Sequence, residues 1–180
     1  MNIRQSTDSS AFVKKFLVLA MFASPLAYPQ QAATISHGDT AFLKDAAEGG
    51  VDEVKLGELA RQNGMNDRVK KFGQRMVDDH SKMNKELMAL AGRKNVTLPG
   101  DISITQKASY KLLSSKNGDE FDKAYISSMV KDHQADIAAF QKEANTGTDG
   151  DVKALASKAL PTLQEHLRMA QEVARELGVQ

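Results

Sequence analysis

The chain has 180 residues, with 24 Lys and Arg against 23 Asp and Glu and no cysteine. That length suits one domain with a core of useful size. The near-neutral balance argues against a nucleic-acid partner, and the missing thiols exclude disulfides, a lipid-modified cysteine, thiolate metal ligands and iron–sulfur clusters.

The chain begins with Arg4, Lys14 and Lys15 ahead of an apolar run, FLVLAMFASPLA, from Phe16 to Ala27. Basic residues followed by such a run form a secretory signal. About a dozen apolar residues are too few to span a bilayer, which needs roughly 20. Neither Ala27 nor Ala33 is preceded by a good A-x-A pattern, so the cut is placed between residues 27 and 33. The alternative is an uncleaved N-terminal anchor. Residues 1–33 therefore read as a signal peptide and 34–180 as the mature domain, in an exported protein that is periplasmic or associated with the cell envelope. No later stretch is apolar enough to span a membrane, so a soluble mature chain is expected.

The mature chain reads as four long helices. Phe42, Ala46, Gly49, Glu53, Leu56 and Ala60 form a heptad-like seam on the first, which ends near Asn63-Gly64. Gly49-Gly50 weakens its middle and suits a bend or a close helix approach. Asn66 or Asp67 caps the second helix, whose seam is Val69, Gly73, Met76, His80, Met83, Leu87 and Leu90. From Val96 to Gly118 the composition turns to Pro, Gly, Ser and Thr around a short helical piece at Gln106–Leu113, which makes a long crossover. The third long helix runs from about Asp119 to Asn145 with Ile126, Met129, His133, Ile137, Phe140 and Ala144 on its seam. The fourth carries Val152, Leu155, Ala159, Thr162, His166, Met169, Val173 and Leu177, with a kink or restart expected at Pro161. Strands have no support. Short loop, long crossover, short loop is the connectivity of a ferritin-like four-helix bundle, all-α, with the crossover between helices 2 and 3.

Several words of the sequence, FLKDAAEGGVDEVKLGELA, VKKFGQRMVDDHSKMNKEL, FDKAYISSMVKDHQADIAAFQKEA and SKALPTLQEHLRMAQ, resemble the bacterial domain-of-unknown-function family 4142. The likeness spans Thr40 to Ala174. It implies a ferritin-like bundle in an exported protein, in a family often labelled as predicted outer-membrane proteins, and supplies no function. The Glu-x-x-His di-iron motif of the ferritin-like superfamily is not intact, because Val77, Val130 and Leu163 stand three residues before the histidines. Ferroxidase activity is not carried over.

Three histidines follow a carboxylate directly, as Asp79-His80, Asp132-His133 and Glu165-His166, and each lies on a seam that is otherwise apolar. At a rise of about 1.5 Å per residue, Glu53, His80, His133 and His166 all stand roughly 21 Å from their helix starts. All four should converge at mid-bundle. Imidazoles with a carboxylate suit Zn, Cu or Fe, and Asp79, Asp132 and Glu165 are placed to orient a histidine on a neighbouring helix from a second shell. Met76, Met83, Met129 and Met169 share the histidine faces, a combination that suits Cu(I). The competing reading is a hydrogen-bonded polar network that fixes register, with methionines as core filler. An acid–base catalytic site is the weakest of the three, and no Gly-x-Ser-x-Gly or phosphate loop supports an enzyme. Two functional classes follow. One is a binding or structural protein serving envelope stress, with an envelope partner or a second copy of itself. The other is a transition-metal storage or redox protein.

Overall fold

A computed structural model describes Met1 and residues 35–179. The signal and cleavage reading of residues 1–33 therefore lies outside the described residues, Met1 apart. Among the described residues the elements are all helical: α1 (His37–Asn63), α2 (Asp67–Arg93), α3 (Ile104–Ser114), α4 (Gly118–Thr146) and α5 (Gly150–Leu177). None is long and apolar enough to cross a membrane.

Short polar side chains set most of the helix starts. Ser36 accepts from the Asp39 N–H, Asn66 from Arg68, and Asp149 from Asp151 and Val152. Ser103 and Gln106 form a reciprocal capping box on α3. At the end of α2, Asn95 takes a φ of 56°, the left-handed conformation that asparagine tolerates, and Val96 N–H closes onto the Ala91 carbonyl at 2.9 Å. α5 runs through Pro161 without a restart. Pro161 is exposed, so the carbonyl it leaves without a backbone donor lies on the outer part of the helix, where water can serve it.

α1 packs on α2 and α4 on α5, while α2 meets α5 and α1 meets α4, which closes a four-helix ring. Polar ties at the helix ends fix directions. Lys94, at the end of α2, bonds Asp149 and Asp151 at the start of α5, both at 2.7 Å. Asp122, early in α4, accepts from the backbone N–H groups of Met65 and Asn66 at the end of α1. Each neighbour therefore runs antiparallel to the next, and α2 and α4 lie diagonally, pointing the same way. Only a long crossover can join two such helices, and residues 94–117 with α3 supply it. α3 lies over α1 and α4, anchored by Leu113 in the core and by Lys55 and Lys107 on Asp101.

α1 and α2 approach closely at two glycines. A Cβ on Gly57 would stand 2.6 Å from the Gly73 carbonyl oxygen, and one on Gly73 would stand 2.7 Å from that of Gly57. Toward one end of the bundle Phe72, Met76, Phe121, Tyr125, Ile126 and Met129 make a fully buried apolar layer. Toward the other end Leu43, Leu87, Leu90 and Val152, and beside them Phe140, Ala156 and Leu163, make two smaller ones. The histidines fall between these layers.

Candidate metal centre

His80 on α2, His133 on α4 and His166 on α5 are 2%, 0% and 0% exposed, and one ring nitrogen from each lies within 4.8 Å of the other two. The seam phase predicted from the sequence thus brings three of the four candidates together. Ring centroids are 5.3–5.8 Å apart.

The hydrogen bonds decide where the protons sit. His166 Nε2 is 2.8 Å from Asp79 Oδ2. Burial raises Asp79, but its bonds to His166 and Arg75 outweigh this and hold the carboxyl below its usual range. An ionised carboxylate only accepts, so His166 carries its proton on Nε2 and a lone pair on Nδ1. His133 Nδ1 is 2.9 Å from the Met129 carbonyl oxygen, again an acceptor, so His133 carries its proton on Nδ1 and a lone pair on Nε2. These two unprotonated atoms, His133 Nε2 and His166 Nδ1, face each other at 3.3 Å. Burial pushes His133 down to about 4 and lowers His166 too, so near neutral pH no proton lies between them. Both nitrogens of His80 are buried without any partner, and burial, followed by the other two rings, pushes it down to about 3.

Two opposed lone pairs repel unless a cation lies between them. A tetrahedral ion with metal–nitrogen bonds of about 2.0–2.1 Å sets its ligand nitrogens about 3.3–3.4 Å apart. The His133–His166 separation matches that edge, and His80 supplies a third nitrogen. His80 also lines a cavity of about 130 Å³ with Asp79, Met83, Asp136 and Thr162, which leaves room for a fourth ligand.

Glu53 does not join this group. It is buried, but its Oε1 lies 3.7 Å from His133 Nδ1, the edge opposite the one that meets His166. Its Oε2 has no partner, and burial, followed by the charges of Asp136, Asp132 and Asp52, holds its carboxyl well above the ordinary range. The three carboxylates read as a second shell also separate. Asp79 bonds an imidazole on a neighbouring helix. Asp132 accepts from Ser128 at 2.8 Å, and Glu165 pairs with Arg168 on the surface. Met76 and Met129 are in the apolar layer, whereas Met83 borders the His80 cavity.

A model of a domain of unknown function, DUF4142, matches residues 24–173. The chain belongs to that family. No match was found among curated proteins. Two solved structures share the fold. A DUF305 fragment from Deinococcus radiodurans superposes with a TM-score of 0.69 at 15% identity, covering 80% of this chain and 97% of that one. A DUF305 protein from Streptomyces coelicolor, described as a candidate secreted protein, gives 0.68 at 15% identity, covering 79% and 95%.

The sequence reading of this DUF4142 chain missed two buried carboxylates that hold the bundle ends. Asp39 accepts from Ser36, from the Thr148 hydroxyl and N–H, and from Asp149 N–H. Burial raises it, but these bonds prevail and its carboxyl lies well below the usual range. Asp122 serves Met65 and Asn66 at 3.1 and 2.7 Å. Asp39 was visible only as a polar residue near a helix start, and Asp122 only as one more acidic residue in the first turns of a helix.

Proposed function

We propose that this protein is an exported transition-metal-binding helical bundle that holds one ion on His80, His133 and His166. The reading rests on the facing lone pairs of His133 Nε2 and His166 Nδ1 at 3.3 Å. A polar network kept only for register would place a proton donor between those atoms, and the bonds to Met129 and Asp79 use the donors elsewhere. His80 adds a buried imidazole with neither nitrogen paired, which is costly in a core and favourable on a metal. Three neutral imidazoles with a fourth position open to a cavity suit Zn or Cu(I), and Met83 in that cavity is placed to offer a thioether to copper. Storage, delivery or redox use of the ion fits this arrangement.

Export is supported by the basic and apolar N-terminal residues and by the candidate secreted protein that shares the fold. The chain, purified without a histidine tag and reconstituted separately with Zn, Cu, Fe and Mn, should retain about one Zn or Cu per chain by elemental analysis. His80→Ala/His133→Ala should lose that Zn or Cu. Wild-type protein that retains neither Zn nor Cu would overturn the reading.

A further inference from the structure

A second cavity, of about 420 Å³, lies between α1, α3 and α4, and its wall includes Asp52, Glu53, Asp132 and Asp136. Among the described residues none of these four pairs with a lysine or arginine within 4.0 Å; Lys116, also in the wall, pairs with Glu120 instead. Ionising four acidic side chains around one cavity, with no lysine or arginine paired to any of them, costs repulsion that a bound cation would offset. Glu53 is 4% exposed, and its Oε2 and the Asp52 Oδ1 are buried with no hydrogen-bond partner. Unpaired buried carboxylate oxygens on an acidic cavity call for a positively charged guest.

The position of this cavity adds a direction. Glu53 turns Oε2 to no protein partner while Oε1 lies 3.7 Å from His133, so it stands between the acidic wall and the histidines. Gly49 and Asp136 belong to the walls of both this cavity and the one that His80 borders. A Cβ built on Gly49 would meet nothing within 4 Å, so this shared wall position faces open space that a larger side chain would occupy. Among the described residues His80, His133 and His166 bring one ligand atom each within 4.8 Å of one another and these four carboxylates do not, so the acidic cavity suits an ion that keeps its water. Resting on the metal-centre reading, we propose that the Asp52/Glu53/Asp132/Asp136 cavity is a second cation site, which takes a hydrated divalent metal ion and passes it by way of Gly49 and Asp136 to His80.

Mn²⁺, a hard ion that prefers carboxylates and water, probes the cavity directly. EPR titration should show one Mn²⁺ per metal-free wild-type chain and at least tenfold weaker binding in Asp52→Asn/Asp136→Asn. No Mn²⁺ bound, or equal binding by both proteins, overturns the cation site. Stopped-flow uptake of Co²⁺, followed by its visible bands, then probes the passage. Asp52→Asn/Asp136→Asn and Gly49→Leu should each load at least tenfold more slowly and reach the wild-type spectrum and stoichiometry. Loading at the wild-type rate in both variants overturns the passage. Mn²⁺ binding without any Co²⁺ uptake by the wild type instead overturns the histidine centre and leaves the acidic cavity as a site of its own.

Discussion

His133 Nε2 and His166 Nδ1 face each other at 3.3 Å, each without a proton, because the other nitrogen of each ring already donates to Met129 or Asp79. Three helices meet there. The relationship links secondary structure to chemistry: a backbone carbonyl of α4 and a side chain of α2 each select one tautomer, and the two choices leave two acceptor nitrogens opposed.

Asp79 should therefore control affinity without being a ligand. Asp79→Asn removes the negative charge that fixes the His166 proton on Nε2. Loss of such an outer partner typically weakens metal binding about 10–100-fold. Competition against a chromophoric zinc chelator should show that loss, with stoichiometry unchanged. Equal affinity in the two proteins would show that the His166 tautomer is set by something other than Asp79.

The three histidines should cost the metal-free protein stability as pH falls below 6.5. The folded values of His80 and His133 are depressed to about 3 and about 4, and His166 is lowered as well. Below 6.5 the unfolded chain takes up protons that the folded chain refuses, so this stability is full above 6.5 and falls progressively toward pH 4. Urea midpoints across pH 4–8 should show wild type losing stability toward low pH relative to a variant with all three histidines changed to Gln, because the raised carboxyls act with the opposite sign in both proteins. Parallel curves would place the imidazoles in contact with water.

Glu143 should act with the opposite sign. Burial, followed by the adjacent Asp39 carboxyl, pushes it up to about 7 from an ordinary 4.5. Between those values the folded chain binds the extra proton, so stability is lost as pH rises from 4.5 to 7. Glu143→Gln removes that slope and should raise the melting temperature at pH 8 more than at pH 5. A shift of the same size at both pH values contradicts the placement of Glu143.

Asp122→Ala should destabilise the fold without touching the metal. It leaves the N–H groups of Met65 and Asn66 without their partner at the α1–α2 loop. Each unsatisfied group costs about 1–3 kcal/mol. Thermal unfolding of the metal-free variant should report a clear loss, while zinc stoichiometry under native conditions is unchanged.

Much of this was legible from spacing. The short polar caps, the long crossover and the histidine phases on α2, α4 and α5 all follow from local sequence. The N-terminal half of α1 did not: Leu43, Ala47 and Gly50 are buried where the heptad count placed Phe42, Ala46 and Gly49. A straight helix drifts about 20° per heptad against a 3.5-residue count, only part of the roughly 100° between adjacent positions, so packing against the neighbouring helices and not the heptad count sets the buried face here. Phe42 turns instead to an edge-on contact with Phe140 at 4.9 Å. The roles of Glu53, Asp39 and Asp122 depend on partners far along the chain, such as Thr148 for Asp39, and no periodicity encodes them. Asp132 and Glu165 share the carboxylate-histidine word with Asp79, yet the facing helix decides which one meets a ring.

The measurement closest to the central claim is X-ray absorption at the zinc edge of the reconstituted protein. The geometry predicts one zinc with three imidazole nitrogens at about 2.0–2.1 Å and one further light-atom ligand. A shell of oxygen alone, or a spectrum unchanged when His80, His133 and His166 are replaced by Gln, would contradict it.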